Sequence, residues 1–453
     1  MQRAATGNGS VLDAGVPDRQ HRNGSSRPHS FAAMTMSTER ALFPLLCLTL
    51  VADSATSQPE TIEEEPVEQT VVAGPQVDYD DGFRIRSLDG RSEFKIEGLF
   101  QSVFGLHQSL RQPSNDMTLK RMRPEFVARV DGSLHMKLEP KFTENEVELE
   151  EAWVGTDLAG GDARLMIGRM KAPFNLEEVR SRRHIAFPFF SLINQFAPAE
   201  DHGVFVNGHS SQGSVEWGIA AYNGTGDSDT TSSKDVAARV MLHPCIAVEG
   251  SALQNIQVGI AATLGKQSED IGETTIETET GLPVMTFLDG VMLDGRRLRA
   301  GFESAWFHGP WFAQAEIMHV EQRMSADGGA PMDIEFRGAY LSISHVLTGE
   351  SISFGGVSPE SAHDFASSAG RGAWVLAARA SVLEIDEEVA GLVGPGQFTD
   401  RIDSYSLGLN WIPSEHLIIR NSVVHSRYAN DVVLDNGATD SETSVIIEVQ
   451  MHF

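Results

Sequence analysis

The sequence predicts an all-β protein, a transmembrane antiparallel β-barrel of about 16 strands with an inward-folded constriction loop. The first observation behind this prediction is the alternation of the last nine residues, whose apolar members are Val445, Ile447, Val449, Met451 and Phe453. Polar residues separate most of them, with Ile446 as the exception. A period of two gives a strand one apolar and one polar face. Membrane barrels commonly close on such a strand, with a terminal aromatic residue.

The second observation is that short alternating segments, rather than helical repeats, follow one another from Ser92 onward, separated by Gly, Asn, Asp, Ser and Pro clusters. Residues 94–104 place Phe94, Phe100 and Phe104 on one face and charged or polar residues on the other. Residues 121–131 repeat the pattern. A soluble β-sandwich alternates as well, so this observation does not separate the two folds.

The third observation is that the connections alternate in length. The short ones are 132–134, 157–162, 210–213, 308–311 and 413–415. The long ones are 107–117, 172–202, 223–235, 266–296, 385–402 and 429–441. Outer-membrane barrels have short periplasmic turns and long external loops, whereas the fold of a β-sandwich does not require the connection lengths to alternate. A short connection at 143–146 and a long one at 348–371 are exceptions.

The start of the chain predicts export. Residues 1–57 are expected to be an over-extended start followed by a signal peptide, with Arg40 as the basic flank and an apolar core at 41–52. Residues 58–91 contain many acidic residues and are expected to be a flexible acidic leader. Residues 92–453 form the predicted barrel domain.

Composition excludes several classes of function. The net charge of −28 argues against nucleic acid as a partner. The sequence has no HExxH, CxxC, GxSxG or P-loop motif, so we predict no catalytic residues, no metal site and no cofactor. The protein is therefore expected not to be an enzyme.

Several stretches resemble the phosphate-selective porin O and P family. They are RMRPEFVARVDG at 121–132, VELEEAWVG at 147–155, RLMIGRMKAPFNLEE at 164–178, FAPAEDHGVFVNG at 196–208 and HVLTGE at 345–350. The resemblance implies a trimeric, sixteen-stranded channel whose third external loop narrows the lumen. That loop falls at 172–202. Its apolar stretch favours inward folding, because such a surface is poorly solvated outside.

Within this loop, a basic cluster is predicted to contact anions: Arg180, Arg182, Arg183 and His184. Basic residues expected to line the lumen are Lys95, Arg121, Arg123, Arg129, Lys137 and Lys141. Acidic residues expected on the same faces are Glu97, Glu125, Asp131, Glu139, Glu148 and Glu150. The lumen is thus predicted to be mixed in charge, with opposed rows of acids and bases. This departs from an arginine-lined path.

These predictions together describe an outer-membrane porin for small hydrophilic solutes with a preference for anions such as phosphate. Expected partners are the solutes, outer-membrane lipid and two further copies in a homotrimer. The alternative is a non-conducting envelope barrel with an adhesion or structural role. A secreted all-β carbohydrate-binding or hydrolytic protein is the third candidate, which the terminal Phe453 and the alternating loop lengths disfavour.

Overall fold

The computed structural model describes residues 74–108, 114–226, 233–434 and 437–453. Its strands are β1 Gln76–Tyr79, β2 Phe83–Arg86, β3 Glu93–Gln108, β4 Ser114–Val130, β5 Leu134–Phe142, β6 Val147–Leu158, β7 Ala163–Lys171, β8 Glu200–His209, β9 Val215–Tyr222, β10 Asp235–Leu242, β11 Gln257–Asp270, β12 Thr275–Glu277, β13 Pro283–Thr286, β14 Val291–His308, β15 Trp311–Ala326, β16 Met332–Val346, β17 Ala373–Ile385, β18 Arg401–Ser414, β19 Leu417–Leu434 and β20 Gly437–His452. The helical elements are α1 Leu176–Val179 and 3₁₀ turns at Ala159–Gly161, Arg182–His184, Leu192–Phe196 and Glu387–Gly391.

Sixteen of the described strands, β3 to β11 and β14 to β20, form one closed antiparallel barrel, as predicted. Each strand pairs with its neighbour in the chain, and β20 closes the ring by pairing with β3 from Thr443↔Gln108 to His452↔Leu99. At the end of this seam, Gly98 and Phe453 exchange two backbone hydrogen bonds of 2.8 and 3.1 Å. The chain terminus is therefore built into the barrel wall.

Side chains alternate across the wall as the sequence predicted. On β20, Val449 and Met451 are exposed on the outer face, while Glu448 and Gln450 are buried inside. On β4, Met122 is exposed outside and Arg123 is buried inside. The period of two in the sequence thus separates a lipid-facing surface from a polar interior.

The connections divide the barrel into a turn end and a loop end. The turn end carries Phe453 and the short connections 131–133, 159–162, 210–214, 309–310 and 415–416. Two longer connections, 243–256 and 347–372, also lie there, and the second was one of the predicted exceptions. The loop end carries the long connections 172–199, 271–290 and 386–400, but its connections at 143–146 and 327–331 are short. β19 and β20 also extend into the predicted long loop at 429–441, so the connection lengths alternate less regularly than the sequence predicted.

Apolar side chains fill part of the interior toward the loop end. The largest buried cluster joins the loop at 172–199 with the β12–β13 hairpin, the turn at 387–391 and the inner faces of β14 to β19. Its members include Phe174, Ile193, Met285, Ile334 and Val389, all fully or almost fully buried. This cluster holds the inward loops against the wall.

The predicted flexible leader at 58–91 is wrong for the part that the structure describes. β1 and β2 form an antiparallel hairpin, and β2 pairs with β3 through Phe83↔Ile96 to Arg86↔Glu93. The sequence signal was present, since alternating residues flank Asp81-Gly82, a favoured hairpin turn. Asp81 and Gly82, two of the three residues that connect the strands, have positive φ angles of 49° and 137°. Acidic composition was therefore a poorer guide than the local turn pattern.

The predicted over-extended start and signal peptide, 1–57, lie outside the described residues, as does the leader before residue 74. Among the described residues, none of the helices has the length and hydropathy needed to cross a membrane.

Candidate functional site: the constriction loop and the charged lumen

The connection between β7 and β8, residues 172–199, folds into the barrel as predicted and is called the constriction loop below. Its apolar residues Phe174, Phe187, Leu192 and Ile193 are at most 3% exposed. The loop contacts β3, β4 and β15 to β20 as well as its own neighbours. It therefore crosses the lumen rather than extending outside the barrel.

A carboxylate on the far wall holds the start of the loop. Glu316 on β15 accepts hydrogen bonds from the backbone N–H groups of Leu176 and Glu177, each at 2.7 Å. The side chain of Asn175 accepts a further bond from the N–H of Glu178 at 3.2 Å. These contacts satisfy the free N–H groups at the start of α1, and they fix this short helix to the wall.

Arg379 on β17 ties the middle of the loop to the same region. Its guanidinium contacts Glu177 at 3.2 Å and Glu279 at 2.9 Å, and it donates to the carbonyls of Phe189 and Phe190 at 3.0 and 3.2 Å. The side chain is 3% exposed. A planar guanidinium with several donors suits this role, so Arg379 joins two inward loops to the wall.

Three polar side chains of β18 to β20 hold the next part of the loop. Arg420 donates to the carbonyls of Ile185 and Arg183 at 3.0 and 2.8 Å. Gln450 donates to the Arg183 carbonyl at 2.9 Å, and Asn410 donates to the Ala186 carbonyl at 2.8 Å. The loop backbone is thus fixed along residues 183–186.

The four predicted anion contacts differ in their surroundings. Arg183 is neutralised by Glu97 at 2.6 Å and Glu125 at 3.5 Å, and Arg182 pairs with Glu178 at 2.8 Å. Arg180 donates instead to Gln314 at 2.6 Å and packs on the rings of Phe312 and Phe354, with no ion pair among the described residues. Arg180 therefore retains its charge without a carboxylate partner.

Burial shifts the pKa values of two side chains in the constriction loop, which lies outside the membrane-spanning strands. Burial lowers the pKa of Arg180 to about 10, so the guanidinium is still charged at neutral pH. Burial, together with His452, Arg420 and Arg183, lowers the pKa of His184 to about 3. His184 is consequently neutral at physiological pH, and the predicted basic cluster carries one positive charge fewer at that position.

Nine of the twelve predicted lumen residues, all except Arg121, Arg129 and Asp131, form interleaved ion pairs on β3 to β6 rather than opposed rows. Arg123 contacts Glu139 at 2.8 Å and Glu150 at 2.7 Å. The remaining pairs are Lys95–Glu97 at 2.6 Å, Lys137–Glu125 at 3.2 Å, Lys137–Glu139 at 2.8 Å, Lys137–Glu151 at 3.2 Å, Lys141–Glu148 at 2.6 Å and Lys141–Glu150 at 3.6 Å. Charges of both signs therefore line the lumen, and these nine residues neutralise one another directly, whereas Arg121 forms no ion pair among the described residues.

Two predicted lumen residues lie near the turn end. Asp131 is exposed in the turn after β4, with a φ of 51°, so its placement on the lumen wall was wrong. Arg129 lies close to the same turn, 3.8 Å from Glu93, and donates to the carbonyl of Gly90. Neither residue reaches the constriction loop in the described contacts.

Several lumen residues were missed because the sequence argument stopped at the first strands. They are Glu177, Asp235, Glu279, Arg297, Arg299, Glu316, Arg379, Arg420 and Glu448. Each strand residue among them stands on the polar side of an alternating segment, as with Arg297 and Arg299 on β14. The same period-two rule would have located those residues, but not their partners across the barrel.

Three cavities adjoin the constriction loop. The vestibule, defined by Asp80, Asp81, Arg180, His184, Arg379 and His416, has a volume of about 590 Å³. A second cavity of about 780 Å³ lies beside β6 to β10 and is lined by Trp153, Lys171 and Arg239 among others. The third, of about 120 Å³, lies between the loop and β3–β4 and is called the cationic pocket.

One group of metal-ligating side chains, His319, Glu321 and Glu335, occurs among the described residues. It lies on the outer face of β15 and β16 by strand parity, away from the constriction loop. Glu321 is paired with Arg296, and Glu335 with Arg337. These carboxylates therefore already have cationic partners.

A closed sixteen-stranded barrel with a loop fixed across a charged lumen is the architecture of an outer-membrane porin. A sequence model of the family described as phosphate-selective porin O and P matches residues 101–453. The chain belongs to this family, and the protein is an outer-membrane protein of bacteria. The turn end of the barrel is accordingly periplasmic, and the loop end is external.

Comparisons with individual proteins give one similar sequence and several similar folds. Porin O of Pseudomonas aeruginosa is 25% identical over 205 residues, which cover 43% of this chain and 43% of Porin O. The match thus spans less than half of that relative's length. The outer-membrane channel DcaP of Acinetobacter baumannii has a TM-score of 0.53 at 11% identity, covering 81% of this chain and 99% of its own. An anion-selective porin from Comamonas acidovorans has a TM-score of 0.52 at 11% identity, and the match covers 80% of this chain and 100% of the porin.

Proposed function

We propose that the protein is a passive diffusion channel for small hydrophilic solutes, with a preference for anions such as phosphate. Solutes would cross the barrel past the constriction loop, whose position limits the width of the path. The residues near the loop bind and repel ions, and they perform no chemistry. On this proposal the protein is not an enzyme.

The observation that carries the anion preference is the cationic pocket. Its charged lining consists of Lys120, Arg121 and Arg182, and no carboxylate lines it. Arg121 is 9% exposed, forms no ion pair among the described residues and leaves its Nε without a partner. A buried, uncompensated guanidinium is costly, and a bound anion with several oxygens would offset that cost.

Arg180 supports the same preference from the vestibule. It faces the cavity, it remains charged at neutral pH, and its polar contacts are a side-chain amide and the carbonyl of His184. The other basic residues on the loop are largely neutralised. We therefore assign the preference to Arg121 and Arg180.

We also propose that the protein forms a homotrimer and contacts outer-membrane lipid. A homotrimer is the assembly that the family resemblance implies, and the exposed apolar band on the outer face would contact outer-membrane lipid. Chemical cross-linking of the purified protein in mild detergent would test the trimer. Monomer alone under those conditions would contradict it.

The channel itself is tested by adding the purified protein to a planar lipid bilayer with potassium chloride in both chambers. Stepwise conductance increases are expected, together with a reversal potential of the anion-selective sign in a salt gradient. Titrating phosphate into the chambers should reduce the chloride current in a saturable way. Absence of conductance steps would overturn the proposal in favour of a non-conducting envelope barrel, and a cation-selective sign would remove the anion preference.

A further inference from the structure

We infer that the β1–β2 hairpin extends the barrel wall below the chain terminus. The carboxylates of Asp80 and Asp81 at the tip of this hairpin form a fixed acidic lip, which influences ion selectivity at the periplasmic mouth. This inference rests on the proposed channel function. It adds a specificity determinant that lies outside the constriction loop and opposes the anion preference of Arg121 and Arg180.

The register places the hairpin directly below the closing seam. β3 pairs with β2 through residues 93–96 and with β20 through residues 99–108, on the same edge. Phe453 pairs with Gly98 between these two partners. β2 therefore takes over the position of β20 where β20 ends, and β1 lies beside it.

The hairpin continues the two faces of the wall. Val77, Phe83 and Ile85 are exposed apolar residues, and Phe83 and Ile85 lie opposite the outward-facing residues Ile96 and Phe94. Asp78 and Arg84 occupy the other face and form an ion pair at 2.8 Å. The same period of two that builds the barrel thus extends through residues 76–86.

Three contacts hold the hairpin in place. The ring of Tyr79 meets the edge of His416 in the β18–β19 turn, with centroids 5.8 Å apart. The ring of Phe83 meets Phe453 at 6.0 Å. The carboxylate of Asp81 lies 4.0 Å from Arg183 in the constriction loop. The hairpin is therefore attached both to the wall and to the loop that crosses the lumen.

The tip of the hairpin faces the ion path. Asp80 and Asp81 line the vestibule together with Arg180 and Arg379, and their side chains are 64% and 58% exposed. Asp80 pairs with Arg84 at 2.8 Å, so Asp81, 4.0 Å from Arg183, is the less compensated of the two carboxylates. An ion that passes the loop toward the periplasm would meet these solvated carboxylates next. Because charges beyond about 8 Å are screened at physiological salt, carboxylates at the mouth act more strongly than acidic residues on distant loops.

The test compares two double variants in planar bilayers. D80N/D81N removes both carboxylates from the vestibule, whereas D89N/D131N removes two exposed carboxylates from turns at the same end of the barrel that do not line it. We expect D80N/D81N to raise the ratio of chloride to potassium permeability about two- to fourfold, from screened Coulomb interactions. The control should remain close to the wild type. Equal ratios in D80N/D81N and wild type would overturn the inference.

A labelling experiment locates the tip independently. In a C245S background, D81C would be treated with a negatively charged, membrane-impermeant thiol reagent while the current is recorded. Modification is expected to change the conductance, and the D89C variant in the same background should show no change. An unaltered current after complete labelling of D81C would also overturn the inference. A protein that opens no channel would overturn the proposed function, and the inference with it.

Discussion

Arg420, on the inner wall of β19, donates a hydrogen bond of 2.8 Å to the backbone carbonyl of Arg183 in the constriction loop. The guanidinium also pairs with Glu448 and contacts Gln450 at 2.8 Å, and the Arg420 side chain is 1% exposed. This arginine therefore holds the loop rather than presenting a free charge to solutes. Arg379 has a similar role at the carbonyls of Phe189 and Phe190.

Replacing the Arg420–Glu448 pair should release this part of the loop. The variant R420M/E448Q removes both buried charges together, so it leaves no uncompensated charge, but it also removes the donors to the carbonyls of Arg183 and Ile185. We expect a larger and noisier single-channel conductance, with an unfolding midpoint in urea close to that of the wild type. R420M alone should lower the free energy of unfolding by about 3–5 kcal/mol, because Glu448 is then buried without a partner.

The matched control for this experiment is R401M. Arg401 is paired with Glu384 at 3.1 Å, but both residues are on the outer face and partly exposed. Its loss should change the unfolding free energy by less than about 1 kcal/mol and leave the conductance unchanged. A wild-type conductance in R420M/E448Q would contradict the role of Arg420 in holding the loop.

Gly98 should be required for closing the barrel. A Cβ atom at this position would lie 2.5 Å from the ring of Phe453, while one at Gly391 would have open space. G98A is therefore expected to lower the free energy of unfolding by about 1–3 kcal/mol through overpacking at the β3–β20 seam, whereas G391A should have little effect. Urea titration of the refolded barrels would measure both. Equal midpoints for the two variants would show that Phe453 does not pack against Gly98.

His184 should make no contribution to selectivity near neutral pH. Its folded pKa of about 3 lies below the ordinary value near 6.5, so it remains neutral between about pH 8 and 5. Reversal potentials of wild type and H184Q are expected to show the same pH dependence over this interval. A step near pH 6.5 that is present in the wild type and lost in H184Q would contradict the neutral assignment.

The lowered pKa of His184 also makes the free energy of unfolding depend on pH. Between about pH 6.5 and 3 the unfolded chain binds a proton at His184 that the folded protein does not bind, so stability falls as the pH falls through this window. H184Q should lose less stability than the wild type on acidification from about pH 7 to 4. Unfolding midpoints in urea at several pH values would measure the difference, and parallel curves would contradict the prediction.

The fold could be predicted from sequence because the membrane imposes a simple rule on each strand. One face contacts lipid, so residues such as Met122 and Val449 alternate with Arg123 and Glu448, and the strand count follows from this pattern. The inward loop was expected instead from the family resemblance and from the apolar residues of the loop. The pairing of charges could not be predicted in the same way. Arg183 contacts Glu97 and Glu125 from strands far away in the chain, and such contacts depend on where the loop crosses the lumen.

The candidate site was consequently only partly predictable. The sequence located the basic loop, but it gave equal weight to Arg180, Arg182 and Arg183, of which only Arg180 lacks a carboxylate partner among the described residues. It also treated residues 58–91 as a flexible leader, because the acidic composition of the whole segment obscured the short hairpin at 76–86. Both errors arose where average composition was used in place of local geometry.

On the proposed function, uncompensated arginines beside the constriction loop give the channel its anion preference. The most direct test is the reversal potential of wild type and R121Q/R180Q in the same potassium chloride gradient across a planar bilayer. We expect an anion-selective potential for the wild type that shifts toward the cation-selective sign in the double variant. A cation-selective wild type, or a double variant with an unchanged potential, would contradict it.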